Sequence, residues 1–83
     1  DPNGFTFMQM FLSECEEDVS KLATVLSNPL AVSSICHRWI GRCAQVGMVG
    51  LEQAGRQLQK FAKSGSTPEE LQQALMLMTE HLD

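Results

Sequence analysis

Gly65-Ser66-Thr67-Pro68-Glu69-Glu70, followed by Leu71-Gln72-Gln73-Ala74-Leu75-Met76-Leu77-Met78-Thr79-Glu80-His81-Leu82, is the stretch whose reading decides the fold. Thr67 is an N-cap residue, Pro68 belongs in a first helical turn where its missing N–H is no loss, and Glu69 and Glu70 meet the positive end of the helix dipole. The chemistry therefore predicts a helix over residues 68–82. At about 100° per residue, Leu71, Ala74, Leu75, Met78 and Leu82 form one apolar stripe, Leu77 widens it, and Met76 points to the opposite side. This helix carries more apolar surface than one core uses, and Met76 and Leu77 are the first candidates for contact with a partner.

Working back along the chain, the same periodicity predicts three more helices. Over residues 6–26, Met8, Phe11, Leu12, Cys15, Val19, Leu22 and Leu26 fall within one core-facing sector. Ser27-Asn28-Pro29 ends that helix, because proline disfavours helical geometry in the residue before it and then suits the first turn of the next. A second helix over 29–46 turns Val32, Ile35, Cys36, Trp39, Ile40, Cys43 and Val46 inward and Arg38, Arg42 and Gln45 outward. Gly47-Met48-Val49-Gly50 reads as a break. A third helix over 51–63 then buries Leu51, Ala54, Leu58, Phe61 and Ala62, and Gly65 follows it as a natural C-terminal residue. No strand-like alternation, repeat or low-complexity segment competes. Four helices with short connections predict a single all-α domain over 1–83, a compact four-helix bundle that is mainly antiparallel and up-and-down.

With 83 residues and 43% hydrophobic content, the chain is expected to bury about 60% of its unfolded surface and to be modestly stable. A net charge of −4 with 19% charged residues is too apolar for a disordered segment and too acidic overall for a general nucleic-acid binder. No apolar run approaches the length of a membrane span, and the N-terminus lacks the basic region of a secretory signal, so no membrane partner is expected. The chain does not begin with Met, which fits a processed product or an excised domain. Three cysteines, an odd number with no Cys-x-x-Cys spacing, fit a cytoplasmic or other reducing compartment.

Catalytic and cofactor sites are not expected. Cys36 adjoins His37, but successive helical residues diverge by about 100°, so adjacency argues against a pair. His81 meets Cys15 only if the first and fourth helices touch, and a core thiol with a surface histidine is the simpler reading. Zinc ligation by Cys15, Cys36, Cys43 and a histidine lacks the usual close ligand spacing. Gly41, Gly47, Gly50 and Gly55 match no phosphate-binding signature. Neither a metal nor a cofactor is expected.

Charge is distributed unevenly. Residues 35–65 carry Arg38, Arg42, Arg56, Lys60 and Lys63 against Glu52 alone, whereas the rest of the chain sets Lys21 against nine acids. Arg38 and Arg42 lie one helical turn apart, as do Arg56, Lys60 and Lys63. Salt bridges to Glu14, Glu16, Glu17 and Asp18 are the simplest use of these strips. The functional use is attraction of an anionic partner, protein in preference to nucleic acid because no aromatic interleaves to stack a base. Phe5, Phe7 and Met10 lie off the first helix's main stripe. The combined expectation is a non-catalytic interaction or regulatory module. Phe7, Met10, Met76 and Leu77 dock a partner helix, a subunit or a second copy, and Arg38, Arg42, Arg56, Lys60 and Lys63 steer it. The alternatives are a nucleic-acid-binding accessory domain using those five basic residues, and a small cysteine enzyme.

Overall fold

The computed structural model describes residues 2–83. Four α-helices follow one another: α1 (Pro2–Val25), α2 (Pro29–Gln45), α3 (Val49–Ser64) and α4 (Pro68–Leu82). Each link between them is only three residues long, which forces successive helices to run antiparallel side by side. α1 packs on α2 and α4, and α3 packs on α2 and α4, while the backbones of the diagonal pairs stay apart among the described residues. The result is an up-and-down four-helix bundle with one helix at each corner of a square.

The link chemistry accounts for the helix ends. Asn28 is extended (φ −113°, ψ 96°) and its Oδ1 accepts from Ala31 N at 3.2 Å, with Pro29 entering the first turn of α2. Gly47 (φ 73°) and Gly65 (φ 75°) take the left-handed conformation that closes α2 and α3, a conformation costly for any residue with a Cβ. Thr67 and Glu70 form a reciprocal capping box at the start of α4, so the predicted range 68–82 holds. The second and third helices fall near their expected ranges, with α3 beginning two residues earlier at Val49.

The largest departure is in α1. It was expected over 6–26, and the helix continues back through Gly4 and Asn3 to Pro2. Proline's fixed φ is pre-organised for a first helical turn. At about 1.5 Å per residue, α1 is roughly 36 Å long against roughly 23–26 Å for the other helices. This length fits the 44 × 20 × 20 Å envelope. Phe11 is the first buried residue of α1, and Asn3 to Phe7 are all exposed. The first turns therefore project past the bundle.

The core is continuous through all four helices. Leu22, Val32, Cys36, Trp39, Cys43, Leu58 and Met78 are completely buried, together with Cys15. The Trp39 indole meets α3 along its Cδ1–Nε1 edge: its Nε1 donates to the Leu51 carbonyl at 2.7 Å, and a Cβ at Gly55 would collide with its ring. Glycine at 55 is what lets α2 and α3 approach around a tryptophan. Met8, Leu12, Val19, Leu26, Val46, Phe61 and Leu82, all expected in the core, pack at its margin and remain partly accessible.

Candidate docking groove and charged faces

The N-terminal half of α1 and the C-terminal half of α2 leave an open groove of about 540 Å³ between them. Phe7, Met10, Phe11 and Glu14 form the α1 wall, and His37, Arg38, Gly41, Arg42, Gln45 and Val46 form the α2 wall. Helical periodicity explains the α1 wall, since positions 7, 10, 11 and 14 share one side. Gly41 keeps the α2 wall low, because a Cβ there would meet nothing within 4 Å. Phe7 and Met10 are 56% and 60% exposed, high values for large apolar side chains on a folded helix.

The groove gathers four of the nine anticipated partner-contact residues: Phe7, Met10, Arg38 and Arg42. Met76 and Leu77, 58% and 44% exposed, lie on α4, whose backbone stays apart from that of α2, and they do not line it. Arg56, Lys60 and Lys63 lie together with Gln59 and Ser64 along a shallow depression on α3. The anticipated residues thus occupy three places on the surface.

Two of the basic residues are already committed. Arg42, expected to face outward, is half-buried and clasps α1: Nε donates to Glu14 Oε2 at 2.8 Å and the guanidinium donates to Asp18 Oδ2 at 2.7 Å. Burial works against its charge, yet the hydrogen bond and charge of Asp18, with Glu14, hold the Arg42 guanidinium above its ordinary value. Asp18 itself is buried. Sequence reasoning placed it in an exposed acidic run, although its position between Cys15 and Leu22 on the helical wheel was the available signal. Arg56 pairs within α3 with Glu52, at 3.0 and 2.9 Å. Among the described residues, Arg38, Lys60 and Lys63 remain without an ion pair.

The fold also sorts the charge blocks by helix pair. α2 and α3, which carry the basic residues, pack together, and α1 and α4, which carry most of the acids, are neighbours as well. Arg38, Lys60 and Lys63, the basic residues left without an ion pair among the described residues, thus sit on α2 and α3, and most of the acids on the neighbouring α1 and α4.

The cysteines are free and buried. Burial pushes the Cys36 thiol up to about 12, helped by the Asp18 charge. Cys15 and Cys43 meet across the α1/α2 seam. The hydrogen bond from Cys43, with the Arg42 charge, lowers Cys15 against the opposing effect of burial, and the same bond followed by burial raises Cys43. α1 and α4 do touch, yet His81 does not serve Cys15: its Nδ1 donates to the Leu77 carbonyl at 2.7 Å and its ring lies against Gly50 of α3. No three His, Cys, Asp or Glu side chains among the described residues are grouped to hold a metal ion. No helix among them is long and apolar enough to cross a membrane. No family model, curated protein or solved structure matches the chain.

Proposed function

We propose that this bundle is a non-catalytic docking module that receives an amphipathic helix in the groove between α1 and α2. The observation that carries the reading is the juxtaposition of exposed Phe7 and Met10 with unpaired Arg38 across one open groove. Phe7 and Met10 are the apolar anchor, and methionine's flexible thioether adapts to the partner's side chains. Arg38 at the rim favours a partner carrying a carboxylate beside its apolar stripe. The helix comes from another protein or from a second copy of this chain. Three free thiols support a reducing compartment such as the cytoplasm.

The test compares capture of binding partners, and self-association, for the wild type and for Met10→Asp and Arg38→Glu. Loss of the complex with Met10→Asp, and slower association with weakened salt dependence in Arg38→Glu, is the expected pattern. The unpaired Lys60 and Lys63 on α3 favour a second reading, an anionic partner such as a nucleic-acid backbone. That reading takes precedence if Lys60→Glu with Lys63→Glu abolishes binding while Met10→Asp leaves it intact.

A further inference from the structure

We propose that Cys15 and Cys43 are a peroxide-oxidisable dithiol that closes to a disulfide between α1 and α2. Arg42 fixes the register of these two helices by bridging Glu14 at 2.8 Å and Asp18 at 2.7 Å, carboxylates one helical turn apart on α1. Cys15 lies within that turn and Cys43 directly follows Arg42, so the two thiols stand at one level of the seam. Both have 0% exposure, and each thiol acts on the other's titration across the seam. A disulfide needs Cα atoms about 4–7 Å apart, which the cross-linking experiment tests directly. Cys36 is also fully buried, but two turns away along α2 and without a thiol neighbour.

The surroundings suit the chemistry. Arg42 and the Cys43 hydrogen bond favour the Cys15 thiolate, the form that reacts. Phe11, Glu14 and Arg42, within one helical turn of the thiols along α1 and α2, line the open groove while the thiols themselves are fully buried, so oxidation requires these side chains to move aside for a molecule as small as hydrogen peroxide. The Cys15 thiolate attacks one peroxide oxygen, the O–O bond breaks, and the departing hydroxide takes up the thiol proton as water, leaving a sulfenic acid. The Cys43 sulfur then attacks the Cys15 sulfur, the S–O bond breaks, and hydroxide leaves with the Cys43 proton as a second water. Two thiols lose two electrons to one peroxide. The inference stands independently of what occupies the groove.

The experiment treats reduced, folded protein with hydrogen peroxide, alkylates the remaining thiols in denaturant and maps the peptides. The expected product is an intramolecular Cys15–Cys43 cross-link with Cys36 still alkylated, a higher melting temperature than the reduced protein, and reversal by dithiothreitol. Cys36→Ser should cross-link as the wild type does, and Cys43→Ser should stop at a Cys15 sulfenic acid that dimedone traps. Retention of all three alkylatable thiols, a cross-link through Cys36, or Cys15 sulfinic acid without a cross-link overturns the proposal. The wild-type peptide map decides the matter even if Cys43→Ser does not fold.

Discussion

Trp39 and Gly55 act as a single packing unit, because the indole is completely buried against the α3 backbone and donates its only polar hydrogen to the Leu51 carbonyl. Trp39→Ala is expected to destabilise the fold by about 3–5 kcal/mol through the cavity it leaves and the carbonyl partner it removes. Gly55→Ala is expected to cost about 1–3 kcal/mol, since the new methyl group displaces the ring. Denaturant titration followed by circular dichroism measures both, and an unchanged midpoint in Gly55→Ala contradicts the packing. Asp18→Asn weakens the clasp on Arg42 and is expected to cost about 1–3 kcal/mol, moderated by the remaining Glu14 contact. Most of the buried side of α2 was legible in the sequence: Val32, Ile35, Cys36, Trp39, Ile40 and Cys43 are all core, whereas Val46 lies past the helix end and only at the core margin. The pairing of Arg42 with Glu14 and Asp18 was legible as well, but the burial of Asp18 was not, because an acid beside Glu14, Glu16 and Glu17 reads as solvated.

At the scale of elements, α4 is the helix whose start is most strongly specified. Glu70 Oε1 accepts from the Thr67 backbone N–H at 3.1 Å and from its hydroxyl at 3.0 Å, while Glu70 N donates to Thr67 Oγ1 at 3.2 Å. The Thr67 backbone hydrogen bond first, and its hydroxyl second, hold the Glu70 carboxyl below its usual range. A depressed folded value means that the stabilisation is complete above the ordinary carboxylate range and is lost as pH falls through the depressed value. Amide signals at the start of α4 should therefore titrate with Glu70 in acid, and Glu70→Gln should abolish that titration. Thr67→Ala is expected to cost about 1 kcal/mol. Such side-chain caps make boundaries readable from sequence, and α2 and α4 begin where Asn28-Pro29 and Thr67-Pro68 place them. α1 begins at Pro2, four residues before the expected start, although Pro2 is the same kind of first-turn signal as Pro29 and Pro68.

For the whole molecule, antiparallel neighbours gather the basic helices α2 and α3 on one side and the acidic helices α1 and α4 on the other, and the packing of α1 on α2 turns Phe7 and Met10 into the wall of a groove. The four apolar candidates looked equivalent on their helical wheels. Packing order separates Phe7 and Met10 from Met76 and Leu77, and it is not encoded in the periodicity of a single helix. Burial also predicts that Cys36 in the folded protein reacts far more slowly with iodoacetamide than in denaturant. Equal rates in the two states contradict its place in the core.

The docking account is tested most directly by comparing wild type, Met10→Asp and Met76→Asp, each first shown to be folded by circular dichroism, in partner capture and in sedimentation for self-association. The account predicts a complex that wild type and Met76→Asp form alike and that Met10→Asp weakens by about 30-fold, the effect of losing a central apolar anchor worth about 2 kcal/mol. A complex that survives Met10→Asp unchanged, or one lost only with Met76→Asp, contradicts it.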